Sequence, residues 1–265
     1  MSQAVVTRRS SARGGSVPRA LVMPVTKTRG RGPATKPAVI VPRATHRFVF
    51  DNVSISIPGW VVDHASFRQW FQSDIFPEEG RVSFLNGEVM FDMSYEQIFS
   101  HVRMKTIISR ILDDLATRGR LGVYFGDGLL ISHLGAEVSN NPDGVFVANA
   151  SFEDGTVRLV EGAKYGFVEL EGSPDMVLEV VSDSSVRKDC DLLREAYWKA
   201  GIREYWLVDA RGEKLDFQIL KRASKGYSPI RPVGGWIKSA VFRKAFCLIA
   251  TKNHLGHPDF ELQVR

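Results

Sequence analysis

Cysteine is nearly absent from this chain: Cys190 and Cys247 are its two, and neither stands in a Cys-x-x-Cys pair. That excludes a disulfide framework and a thiolate zinc centre, and a reducing cytoplasm is the expected compartment. Long apolar runs are missing as well. None reaches the roughly 18–20 residues a membrane-spanning helix needs, so no membrane partner is expected. The N-terminus has no apolar core of a secretory signal. It is rich in arginine and poor in acids, as transit peptides are, but its proline and glycine oppose an amphipathic helix. The glycine-rich stretches lack the spacing of a phosphate loop. No serine, histidine and aspartate stand in the order and context of a nucleophile elbow.

Acidic residues are also missing from one end. Residues 1–47 carry ten Lys/Arg and no Asp or Glu, so the remaining 25 basic and 30 acidic residues leave a mildly acidic body behind a basic tail. The tail suits either a polyanion partner or a solubilising extension. Residues 1–45, rich in Arg, Ser, Gly, Pro and Thr, cannot bury enough apolar surface to offset backbone ordering, and read as disordered. Residues 46–265 hold enough apolar surface for one sizeable core, and are expected to form a single α/β domain with its core at about 80–220.

Along that domain, 47–58 alternates like a strand, and 63–73 around Phe67, Trp70 and Phe71 reads as a short helix. Arg81–Leu85 and the run from Glu88 flank Asn86-Gly87, a favoured two-residue hairpin turn. Ser94 and Gln97 fit a capping box for a helix to about Arg118, with an inward stripe of Ile98, Val102, Ile108, Ile111, Leu112 and Leu115. A strand over 123–133 is expected next, with Asp127 in a turn or bulge. Asn140-Asn141-Pro142-Asp143 then opens the apolar run 144–148. The nearly continuous apolar stretch 175–182 reads as a strand buried on both faces. Helix 184–200 ends at Gly201 as a C′ glycine, and strands over 204–209 and 214–220 and strand-like cover over 241–250 complete a central mixed sheet flanked by helices.

Glu179 is the most informative residue. Period two could place it on a solvated face, but Val177 and Val181 share its side and Leu178 and Val180 take the other. A lone ionised group there costs several kcal/mol unless it is paired or metal-bound. Asp143 stands one strand earlier. Two carboxylates on adjacent strands make an oxygen-rich site suited to Mg²⁺ or Mn²⁺, a cation that can activate water and polarise a phosphoryl oxygen.

Asn141-Pro142-Asp143, then Leu178-Glu179-Val180-Val181-Ser182, then the run 194–209 with its Ala-Gly-Ile and Glu-Tyr-Trp-Leu-Val-Asp pattern, together resemble the Uma-type family of bacterial restriction endonucleases in the PD-(D/E)XK nuclease superfamily. The resemblance covers roughly residues 80–220. It implies a restriction-endonuclease-like core, a metal bound by Asp143, Glu179 and the backbone carbonyl of Val180, and a lysine that positions or activates the attacking water. The chain departs from the pattern here, with Val181 at the usual lysine position and Leu193 at the alternative one on the next helix. Lys188, in the first turn of that helix, is the nearest replacement, and Arg194 is a weaker one. The resemblance also places a histidine at His101. It would act as general acid/base or orient the substrate phosphate, or else be a hydrogen-bonded core residue. Glu88 and Glu96 are nearby acids that could support the site.

Three functions follow as expectations. The first is a Mg²⁺-dependent endonuclease acting on nucleic acid, DNA above RNA, with the tail adding phosphate contacts. The second is a catalytically decayed nuclease fold that binds nucleic acid or another partner, motivated by Leu193. The third is a metal hydrolase for a small phosphorylated molecule. By analogy with the superfamily, a homodimer would cut both strands.

Overall fold

The computed structural model describes residues 21–24, 46–50, 53–77, 80–92, 94–162 and 166–265. Most of the stretch expected to be without order lies outside these residues. Leu21–Pro24 does not: it forms strand β1, paired antiparallel with the strand Glu88–Asp92. The single strand expected over 47–58 is a hairpin of β2 (His46–Phe50) and β3 (Val53–Ile57).

Helix α1 (His64–Phe71) starts on a capping box in which Asp63 Oδ1 accepts from the Ser66 N–H at 2.8 Å and Ser66 Oγ accepts from the Asp63 N–H at 3.0 Å. Strands β4 (Arg81–Leu85) and β5 (Glu88–Asp92) form the expected hairpin, with Asn86 and Gly87 at φ 52° and 81° as a type I′ turn requires. The next helix departs from expectation. Ser94 does not cap it; its Oγ donates to Asp92 at 2.7 Å, and the helix begins at Ile98 with a π-type turn through Arg103 before α2 (Met104–Gly119). The wider turn puts the first apolar residues out of phase with the rest. Ile98 and Val102 are exposed at 71% and 42%, while Ile108 and Leu112 are fully buried.

The strand expected over 123–133 is two strands in different sheets, β6 (Gly122–Phe125) and β7 (Leu130–His133), followed by β8 (Val138–Asn140) and β9 (Gly144–Ala148). Gly126-Asp127-Gly128 makes the passage, with Gly128 at φ 96°, a region glycine enters without steric cost. Then come α3 (Asn149–Glu153), β10 (Val157–Glu161), β11 (Phe167–Gly172) and β12 (Met176–Val180). A second π-type turn, Lys188–Leu192, leads into α4 (Leu193–Lys199), and Gly201 at φ 84° closes it as the sequence predicts. Strands β13 (Glu204–Asp209), β14 (Asp216–Ala223), β15 (Gly226–Pro229), β16 (Ile237–Ser239), β17 (Lys244–Lys252) and β18 (Pro258–Val264) finish the chain.

The result is a mixed α/β fold with two large sheets. One has the order β1-β5-β4-β8-β7-β11-β10 and the other β15-β14-β13-β12-β9-β6. In the second, β12 is central, parallel to β13 and antiparallel to β9. Every residue of β12 is buried, as its continuous apolar pattern predicts. Val177 and Val181 pack with Leu193 and Tyr197 on one face, and Met176, Leu178 and Val180 pack with Ile108 and Leu112 of α2 and with Trp206 on the other. The three-stranded sheet β16-β17-β18 covers that second face. Buried Glu204 anchors it by accepting from Ser239 Oγ at 2.7 Å and from the backbone of Ala240 at 2.6 Å.

Candidate active site

Two of the points where the chain passes from one large sheet to the other, 126–128 and Asn141-Pro142, lie at one end of β12. The ladder between β9 and β12 ends with Gly144 opposite Leu178. Pro142 has no N–H to extend it. One step further, the register sets Asp143 across from Glu179. The side chain replaces the backbone there: Asp143 Oδ2 accepts from the Val180 N–H at 2.8 Å. The β6–β9 ladder ends at Phe125 opposite Val145, and the same register carried two steps on brings Asp127 alongside Asp143. Three carboxylates from neighbouring strand ends thus gather in one place.

Asp143 and Glu179 are both 2% exposed. Glu179 Oε1 accepts from Asn140 Nδ2 at 3.0 Å and from the Tyr197 hydroxyl at 2.7 Å, and no hydrogen bond reaches Oε2 among the described residues. Asn140 is held in turn by Ser83, whose Oγ donates to Asn140 Oδ1 at 2.6 Å. Burial pushes the Glu179 carboxyl well above the ordinary carboxylate range. The Lys188 ammonium opposes that shift, and the charges of Asp189 and Asp143 add to it. Lys188 is 8% exposed and its Nζ lies 3.4 Å from Asp189 Oδ1. Despite its burial, the Lys188 ammonium is pushed above the ordinary lysine value by the charges of Asp189, Glu179, Asp143 and Asp92. The side chain therefore faces the carboxylates.

His101 is buried on the first turn of its helix. Its Nε2 is 3.6 Å from Asp143 Oδ2 and its Nδ1 is 3.3 Å from Glu96 Oε2. Glu96 joins the cluster. Glu88 does not, since it sits at the opposite end of β5 from Asp92. Arg194 turns away and donates to the Tyr227 carbonyl at 3.1 Å. Leu193 is fully buried in the core, so the position where the family pattern expects a lysine is apolar in space as well as in sequence.

Sequence reasoning missed two cations. Arg81, the first residue of β4, and Lys105, on α2, reach Asp143 Oδ1 at 3.4 and 3.5 Å. Lys105 follows His101 by four positions and precedes the buried Ile108 by three, so helical spacing alone could have found it. Asp127 and Asn140 were visible as turn and strand-end residues. Their roles depend on the sheet passages, which no local pattern encodes.

Around Asp143 and Glu179, six carboxylates (Asp92, Glu96, Asp127, Asp143, Glu179, Asp189) meet three permanent cations (Arg81, Lys105, Lys188). Fully ionised, the cluster carries an excess of negative charge in a largely buried place, and burial together with that charge pushes the Glu179 and Asp189 carboxyls upward. The donors are hard oxygens with no sulfur, the chemistry Mg²⁺ and Mn²⁺ prefer. No group of three His, Cys, Asp or Glu side chains is placed to hold a metal among the described residues. Mg²⁺ is commonly held by one or two carboxylates and water, so two carboxylates and a strand-end carbonyl fit it.

No curated protein matches the chain. Among solved structures, that of a "putative nuclease belonging to DUF820" from Anabaena variabilis is similar over 69% of this chain and 91% of that one, at 13% identity and a TM-score of 0.49. The model of the Uma2 family, described as "Putative restriction endonuclease", matches residues 65–243, more than half of the sequence, and this protein belongs to that family.

Proposed function

We propose that the protein is a divalent-metal-dependent endonuclease that hydrolyses phosphodiester bonds of DNA, with Asp143, Glu179 and the Val180 carbonyl as ligands of Mg²⁺ or Mn²⁺. One observation carries the reading: two buried carboxylates stand at adjoining strand positions, electrostatically coupled, within an acidic excess that a divalent cation would neutralise. When bound, such a cation lowers the pKa of water and offsets charge developing on a phosphoryl group. Asp143 is oriented by the Val180 amide, and Glu179 by Asn140 and Tyr197, so neither ligand is free to turn. Lys188 lies on the Glu179 side, where its ammonium would hold the attacking water. His101 lies beside Asp143, where an imidazole nitrogen could pass a proton or orient the phosphate. The basic residues of the tail would add sequence-independent phosphate contacts, and a homodimer would bring two such sites to the two strands.

The apolar environment of Leu193 favours a second reading, a nuclease fold that has lost turnover and keeps only binding. Incubation with supercoiled plasmid in Mg²⁺ separates the two. Nicking that disappears in Asp143→Ala and Glu179→Ala establishes the enzyme. Metal binding by the wild type with no nicking establishes the binding protein.

A further inference from the structure

Arg81 and Lys105 do not simply neutralise Asp143. They belong to a closed square of alternating charge. Lys105 Nζ contacts Glu96 Oε1 at 2.8 Å and Asp127 Oδ2 at 2.6 Å, and the Arg81 guanidinium contacts the same two acids, Asp127 at 2.8 Å and Glu96 by a short bond. Each acid therefore holds both cations and each cation both acids. The four residues come from β4, the segment before the π-type turn, α2 and the 126–128 passage, so the square also ties together the elements that meet at the site.

The square is neutral by itself and rigid by its bonding. Its contacts to Asp143 are of a different kind, 3.4 Å from Arg81 Nη1 and 3.5 Å from Lys105 Nζ, both to Oδ1. Of the three N–H donors of the Lys105 ammonium, two are taken by Glu96 and Asp127, which leaves one directed toward Asp143. Arg81 likewise commits Nη2 to the acids and keeps Nη1 for Asp143. Two preorganised donors therefore converge beside the carboxylate oxygen that the Val180 amide does not use.

We propose that Arg81 and Lys105 are the phosphate-holding pair of this site, resting on Asp143 Oδ1 until a divalent cation takes that oxygen and then binding a non-bridging oxygen of the scissile phosphodiester. The proposal rests on the metal-dependent reading above and extends it to residues outside the family pattern. It also keeps two functions apart, since Lys188 pairs with Asp189 and not with the acids of the square.

The test measures metal and substrate binding separately and needs no turnover. Mn²⁺ is titrated calorimetrically into the wild type, Lys105→Met, Arg81→Gln and Lys105→Arg without nucleic acid. Binding of a short fluorescent DNA duplex is then followed by anisotropy in Ca²⁺. Removing either cation takes a competitor from Asp143, so Lys105→Met and Arg81→Gln bind Mn²⁺ about fivefold tighter yet bind the duplex at least about tenfold more weakly, the loss of a charge-assisted bond. Lys105→Arg keeps the charge and stays near the wild type in both. Urea melts establish that each variant is folded. If Lys105→Met does not fold, Arg81→Gln decides the matter by itself. Unchanged or weaker Mn²⁺ affinity in the folded charge-removing variants, or unchanged duplex affinity, overturns the proposal. A wild type that binds no Mn²⁺ overturns the metal reading and this proposal with it.

Discussion

Replacing Glu179 by glutamine should stabilise the metal-free protein and abolish its response to metal. Directly opposed side chains on an antiparallel pair sit roughly 5 Å apart. At an effective dielectric constant near 20, two negative charges at that distance repel by about 3 kcal/mol. The Lys188 ammonium offsets part of this, and Asp189 adds a second repulsion. What remains, added to the cost of burying the carboxylate, is a net penalty of about 1–3 kcal/mol. Glutamine keeps an oxygen for Asn140 and Tyr197 and removes the charge. In urea unfolding at pH 8 with EDTA, Glu179→Gln is therefore expected to exceed the wild type by about 1–3 kcal/mol. Adding Mg²⁺ at a hundred times its dissociation constant should raise the wild type by about 2.7 kcal/mol and leave the variant unmoved, so the order of stabilities narrows or reverses. A Glu179→Gln protein less stable than the wild type in EDTA would refute the reasoning. Glu179 would then be a structural partner of Lys188, not a ligand kept at the expense of stability.

Two more perturbations probe the scaffold. His64 is buried against Phe84 with Nε2 2.8 Å from Ser139 Oγ, and burial, helped by the Arg68 charge, lowers its pKa to about 4. The unfolded chain then binds a proton that the folded one refuses. Stability is unaffected by His64 above about pH 6.5 and falls as pH drops toward 4, by up to about 3 kcal/mol; His64→Gln should flatten that slope in urea melts between pH 7 and 4.5. Gly144 has no room for a methyl group, since an added Cβ would lie 2.0 Å from the Tyr124 hydroxyl oxygen. Gly144→Ala should cost about 1–3 kcal/mol in thermal unfolding and displace the neighbouring Asp143, weakening Mn²⁺ binding in calorimetry. A variant with wild-type melting and wild-type affinity would show that Tyr124 moves freely.

The fold was legible wherever one periodicity ruled a whole segment. The continuous apolar run of β12, the Asn86-Gly87 hairpin and the Gly201 helix stop each carry their own physical signal and appear in the structure. Segments in which two geometries join within a few residues were not legible. The apolar spacing of 98–115 reads as one α-helical stripe, but the π-type turn at its start displaces Ile98 and Val102 into solvent. Likewise, 123–133 reads as one strand because Gly126-Asp127-Gly128 looks like a bulge, and only the paths of the two sheets show it to be a passage. Ser94 and Gln97 satisfy the spacing of a capping box, yet Asp92, two residues earlier, accepts from both the N–H and the hydroxyl of Ser94 and takes it from the cap. Of the candidate residues, Asp143, Glu179, His101 and Lys188 all lie in one cluster, while Arg81 was overlooked because it resembles an ordinary surface cation at the end of a strand, and Lys105 although its spacing from His101 and Ile108 puts it on the inward face.

The sheet passages also explain why the cluster forms where it does. At the middle of a sheet every backbone N–H and C=O is spent on a neighbouring strand, and a charged side chain finds only apolar company. At 126–128 and 141–142 the chain leaves one sheet for another, so strand ends separate and ladder positions fall vacant. Polar side chains must then satisfy the backbone that the departing strands abandon, as Asp143 does for the Val180 amide. A carboxylate so used is fixed by one oxygen and offers the other. The same break that requires an acid for structural reasons thus presents a buried, oriented carboxylate oxygen. This holds for Asp143 beside Pro142 and not for Glu179, which sits within an intact strand and has no backbone amide to serve. Its burial among valines has no structural return in the observed bonding beyond Asn140 and Tyr197, both of which orient it. Of the two acids, Glu179 is therefore the one whose presence the fold explains least and the proposed cation would explain most.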